Sequence, residues 1–216
     1  MAASFSSGPK TGVATVTHVP PDRYTDAQLV RDVAAGNGAA LGVIWDRYAR
    51  LVRSVLFGAI GPDSAVEDLL QDVFLAFQRG AANMVDGGAL RGYLVSVAVR
   101  LAALELRRRK VRRWVGLSAT GELPELPTQP EDAEARESLR ALYRVLDQLS
   151  PRRRLTFVLR HVQGLEMLEV AAALQISEST TRRELSRANE QIAALAKREP
   201  SLTRYLALRN GREGAP

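Results

Sequence analysis

Glu67, Asp68, Gln71 and Asp72 stand one, three and four residues apart, a spacing that gathers them on the polar side of a helix. Paired carboxylates can exchange protons or hold Mg²⁺. Nothing nearby completes such a site. The chain has two histidines, His18 and His161, both distant in sequence, and no Gly-rich phosphate loop. Cysteine is absent, which removes thiolate chemistry, disulfides and a zinc finger. No Ser/His/Asp arrangement stands out, and no metal or cofactor is expected. The reading is of a binding protein, not an enzyme, with His161 as a packing or surface residue.

The cationic side chains offer a different chemistry. Arg182, Arg183 and Arg187 follow Ser177, Glu178, Ser179, Thr180 and Thr181. Ser177 is placed to cap a helix by accepting from the backbone N–H of its first turn. Short polar groups and forked donors near a helix N-terminus suit a DNA major groove. A short alanine-rich pattern with Val170, Ala171 and Leu174 precedes the turn Gln175-Ile176-Ser177, so the pair reads as a helix-turn-helix. A three-helix bundle with a tight turn would look similar. The outward arginines, with Leu185, Ala188, Ile192 and Leu195 inward, favour DNA.

A second basic feature is the run from Arg107 to Arg113, in which six of seven residues are Lys or Arg. Cations also complement a helix C-terminus, but at the end of an amphipathic helix in a DNA-binding chain they suit phosphate contacts. Tyr93 and Trp114 flank this helix and either stack on unpaired bases or pack into the core. The net charge of +6 over 216 residues agrees with a polyanionic partner.

The elements that must hold these groups are all helical. Residues 1–22 form a small-residue tail ending at Pro20-Pro21. Helices are predicted from Thr25, with a Thr25/Gln28 capping box; over about 39–57, broken by Gly58 and Gly61-Pro62; over 64–79, with a Ser64/Glu67 box; and over about 89–113, with Leu90, Leu94, Val97, Leu101 and Leu104 inward. Pro124, Pro127 and Pro130, with Glu122, Glu125, Glu131 and Asp132, mark residues 115–133 as a flexible acidic linker, able to span roughly 60 Å if extended. Beyond it, one helix carries Leu139, Leu142, Leu146 and Leu149. The next uses Ser150 as cap and Pro151 as first residue, with Leu155, Val158, Leu159 and Val162 inward. The fold class is all-α: two small helical domains, 23–114 and 134–197, followed by a C-terminal tail, 198–216. No run of about 18 apolar residues suggests a membrane span, and the N-terminus has no signal-peptide pattern. The chain reads as cytoplasmic.

In this order, EDLLQDVFLAF (67–77), GYLVSVAVRLAALELRRRK (92–110) and LSPRRRLTFVLRHVQGLEMLEVAAALQISESTTRRELSRA (149–188) resemble the extracytoplasmic-function group of the bacterial sigma-70 family. The resemblance covers roughly residues 24–197 and implies a promoter-recognition factor of bacterial RNA polymerase. Its partners would be core RNA polymerase, promoter DNA and, in many members, an anti-sigma factor. It places core-polymerase binding on Asp68, Leu69, Gln71, Asp72 and Phe74. Binding and melting of the −10 element would fall to Tyr93, Arg100, Arg107, Arg108 and Arg109. Reading of the −35 element would fall to Ser177, Ser179, Thr180, Arg182, Arg183 and Arg187.

The chain departs from the family pattern in places. Val99-Arg100 stands where an Arg-Asn pair is usual, Leu104 where Asp is frequent and Tyr93 where Trp is. Gln175 replaces a common Gly, Thr181 a Val and Glu184 an Arg. A carboxylate at Glu184 would repel phosphate or accept from a cytosine amino group. Two alternatives stay open: a stand-alone helix-turn-helix regulator, and a sigma-like adaptor without promoter activity.

Overall fold

The structure, a computed structural model, describes residues 24–84, 89–114 and 133–201. Eight α-helices account for most of them: α1 Asp26–Ala34, α2 Gly38–Ile60, α3 Ala65–Gly80, α4 Leu90–Trp114, α5 Ala133–Leu146, α6 Pro151–Phe157, α7 Met167–Leu174 and α8 Glu178–Ala196. No strand occurs among the described residues. The tail 1–22 and the predicted C-terminal tail 198–216 beyond residue 201 lie outside the described residues, as does the predicted linker apart from Ala133.

Local chemistry explains the starts and stops. Thr25 and Gln28 form the expected reciprocal cap on α1. Asn37 accepts from the Ala39 amide at 3.0 Å and starts α2, while Gly36 supplies the left-handed turn between them at φ 87°. The cap of α3 differs from expectation. Ser64 makes no side-chain cap bond; Asp63 Oδ1 accepts from Ala65 N at 2.8 Å instead. Glu67 is held by Arg53 through bonds of 2.7 and 2.9 Å, which leaves nothing for a box.

Helices α1–α4 enclose a core around Ile44, Leu56, Leu70, Phe77, Leu94 and Ala98, all with essentially no exposure. Amphipathic spacing delivers these groups to one interior. Two residues placed inward by periodicity lie outside it: Leu104 is 42% exposed and Val162 54% exposed. Gly58 also departs from expectation. It does not break α2, which runs on to Ile60.

In the second half, Ser150 accepts from Arg153 N at 3.4 Å and Pro151 opens α6 as predicted. Helix α6 widens into a π turn over Val158–Val162, closed by Gly164 at φ 68°. The two halves are not apart. Leu155, Leu159, Leu165, Val170 and Ala173 belong to the same buried cluster as the core of α1–α4. The two helical domains thus pack into one body in this conformation.

Candidate nucleic-acid interface

The turn before α8 fixes how that helix is presented. Gln175 takes the left-handed conformation, φ 54° and ψ 45°, as the C-cap of α7. Its amide and that of Ile176 then close on carbonyls of Ala171 and Ala172. Ser177 caps α8, with its hydroxyl accepting from Thr180 N at 3.2 Å and donating to Thr180 Oγ1 at 2.8 Å. Ser177 and Thr180 therefore spend hydrogen-bonding capacity on the helix start. Thr181 is fully buried and bonds back to Ser177 O at 3.1 Å.

The exposed side of α8 carries Ser179, Arg182, Arg183, Ser186 and Arg187, whose spacings of three and four form one surface. Arg182 bonds to Glu178 one turn back, while Arg183 and Arg187 make no hydrogen bond or ion pair among the described residues. Ser186 was not singled out by sequence, although it stands four residues after Arg182 on that face. Glu184 points the other way. It is 13% exposed and pairs with Arg153 of α6 at 3.4 Å, and Arg153 also bonds Gln191 Oε1 at 3.1 Å. Both readings of Glu184 as a DNA-facing carboxylate are thereby corrected: it positions α8 on α6.

On α4, Arg100, Arg107 and Arg108 are exposed. Arg107 Nε folds back on Ala103 O at 3.2 Å. Arg109 is different. Its guanidinium pairs with Asp63 at 2.9 Å and Glu105 at 3.0 Å and donates to Ile60 O at 2.9 Å. These bonds fasten α4 to the turn between α2 and α3, so Arg109 is corrected from phosphate holder to structural clamp. Arg112 joins the same Glu105 at 2.7 Å. Tyr93 is half-buried, edge-on to Phe77 at 6.3 Å between ring centroids, which places it in packing more than on the surface. Trp114 closes α4, with its side chain outside the described residues.

On α3, Asp68, Gln71 and Asp72 are exposed and Leu69 is half-buried, an acidic surface with an apolar contact at its edge. Glu67 is bound to Arg53, whose hydrogen bonds hold its carboxyl below the usual range. Phe74 is 3% exposed and packs on Trp45, with ring centroids 4.6 Å apart. It cannot touch a partner directly, because its ring is enclosed by the core, and it supports the α3 surface from beneath. Among the described residues no cluster of three or more metal-ligating side chains exists, and no helix is long and apolar enough to cross a membrane.

Comparison with known proteins gives these surfaces a context. The family model of Sigma-70 region 2 matches residues 44–112, and that of Sigma-70 region 4 matches residues 139–192. Together they span more than half of the chain. The chain is 28% identical over 171 residues to the ECF RNA polymerase sigma factor BldN of Streptomyces coelicolor, covering 78% of this chain and 64% of that relative. It is 28% identical over 181 residues to the ECF RNA polymerase sigma-E factor of Escherichia coli, covering 79% of this chain and 94% of the relative. The solved structure of CnrH in complex with the cytosolic domain of CnrY shares the fold, with a TM-score of 0.59 at 21% identity, over 82% of this chain and 99% of that one.

Proposed function

This chain belongs to the sigma-70 family, in its extracytoplasmic-function group, and from that premise we propose that it binds core RNA polymerase and directs promoter-specific transcription initiation. It acts by binding energy without catalysing a reaction, and it works where the polymerase works, in the cytoplasm. The observation that carries the reading is the presence of both matched regions, with the second presenting Ser179, Arg182, Arg183 and Arg187 on one exposed side of a capped helix.

The roles divide by surface. Asp68, Leu69, Gln71 and Asp72 dock α3 on the polymerase, and buried Phe74 sets the position of that surface. Arg100, Arg107 and Arg108 hold the phosphates of the −10 element. The exposed side of α8 enters the major groove at the −35 element, where Arg forks can meet guanine edges and phosphates. The domains responsible are residues 23–114 and 134–197.

Gel filtration of the protein with core polymerase tests this directly. Co-elution, lost when Asp68 and Asp72 are both changed to Ala, is the expected result. DNA binding with no polymerase association would replace the reading with that of a stand-alone regulator. Polymerase association without initiation would favour an adaptor.

A further inference from the structure

A cleft of about 520 Å³ lies between α4 and the start of α6, and its charge is unbalanced. Helix α4 gives it one stripe, Ser96, Val99, Arg100, Ala103 and Arg107, whose spacings of three, one, three and four residues keep to a single face. The facing wall brings Arg152 and Arg153 from α6 and Gln175 from the turn before α8. Four arginines thus line one cleft against a single carboxylate, that of Glu184.

The four are not equally engaged. Arg153 is occupied by Glu184 and Gln191, and the one carboxylate is spent there. Arg107 uses Nε on Ala103 O and makes no ion pair among the described residues. Arg100 and Arg152 make no side-chain hydrogen bond or ion pair among them at all. Three guanidinium groups therefore line the cleft without a counter-charge. Like charges held along a concave wall repel one another, and an anion drawn between them removes that cost.

The floor between these cations is apolar. Val99 and Leu155 are buried, with Ala173 and the half-buried Leu174 beside them. Forked donors match phosphate oxygens in pairs, and an apolar floor accepts a flat, weakly polar body. Arg100 and Arg107 stand about 10 Å apart along α4 at 1.5 Å per residue. Between them on that face lies only the methyl group of Ala103, which leaves room for a phosphate chain. Small-ligand pockets run from about 300 to 1,000 Å³, so the volume suits a nucleotide-sized ligand and admits no duplex.

We propose that this cleft is a binding site for a small, multiply charged phosphate ligand of nucleoside-diphosphate size, gripped by Arg100 and Arg107 of α4 and Arg152 of α6. The site stands on the geometry alone. Its consequence rests on the function proposed above, which gives Arg100 and Arg107 to the phosphates of the −10 element. An occupied cleft and a bound −10 strand then compete for the same two side chains, and the ligand acts as an inhibitor of promoter capture. Arg152 serves the ligand only, which makes it the diagnostic residue.

Isothermal titration calorimetry on the full chain, in EDTA and at low salt, tests the site with GDP, ADP and inorganic pyrophosphate. Saturable one-to-one binding of at least one of them is expected. Arg152→Ala should weaken it about tenfold or more, the value of a charge-assisted hydrogen bond. That side chain is exposed, so circular dichroism of the variant should match the unmodified chain. Arg50→Ala removes the same charge from an exposed position on α2 outside the cleft and should leave affinity unchanged. Tighter binding of GDP or ADP than of pyrophosphate assigns the apolar floor to a base, and equal binding assigns the site to the phosphate chain. No saturation up to about 1 mM ligand, or equal weakening by Arg152→Ala and Arg50→Ala, would overturn the site. Saturating single-stranded DNA should displace the bound ligand. Ligand binding that such DNA leaves untouched would keep the site and take Arg100 and Arg107 away from the −10 role.

Discussion

Gln175 shows how much a single residue can reveal. Its left-handed conformation, φ 54°, is disfavoured for residues with a Cβ by about 1–2 kcal/mol. The family resemblance marks the position as one where glycine is common, and the structure gives the reason. Gln175→Gly should raise stability by about 1 kcal/mol in denaturant unfolding, with α8 binding unchanged. Glu184 was not legible in the same way, because helical spacing alone could not decide which neighbour its carboxylate meets. Its partner, Arg153, lies 31 residues earlier. Arg183 and Arg187 carry a binding prediction. Changing either to Ala should lower the log–log salt slope of duplex binding by about 0.9, and the melting temperature should stay within error. An unaltered slope would move that side of α8 away from DNA.

Helix α3 separates surface from support at the level of the element. Periodicity puts Val66, Leu69, Leu70, Val73, Phe74 and Phe77 on the apolar side and the acidic residues outside, because a 3.6-residue repeat fixes which side faces the core; all six but the half-buried Leu69 are buried. Phe74 reads two ways. The helical repeat puts it inside and family kinship assigns it to the partner, and the packing on Trp45 bears out the first. Phe74→Ala should therefore destabilise the fold by about 3–5 kcal/mol in urea unfolding. Asp72→Ala should leave unfolding unchanged and weaken polymerase association. Equal loss of stability in both would contradict the division. Helix α2 teaches a related lesson. Gly58 reads as a breaker from sequence, yet its use is long-range: the missing side chain makes room for Val158, one hundred residues away.

Over the whole molecule, the helical class, the order of helices and most caps followed from local signals. The packing of the halves did not, since the contacts from Tyr143 and Arg154 to α2 link residues 86 and 95 positions apart. The joint has a pH signature. Burial pushes the Tyr143 hydroxyl up from 10.0 to about 12, against the opposing pull of the Arg154 charge. A group whose pKa is raised on folding contributes stability that is whole below the unfolded value and fades as pH climbs through the folded one. Unfolding midpoints should thus fall between about pH 10 and pH 12, and Tyr143→Phe should flatten part of that decline. A variant that kept the full decline would remove Tyr143 from this balance.

Reconstituted transcription tests the central claim most directly. Core polymerase should be given fragmented genomic DNA from a host bacterium, with and without this protein, and the 5′ ends of the transcripts mapped. The account predicts new start sites that appear only with the protein, share paired upstream elements, and vanish when Arg183 and Arg187 are both replaced by Ala. The same set of starts with and without the protein would contradict it.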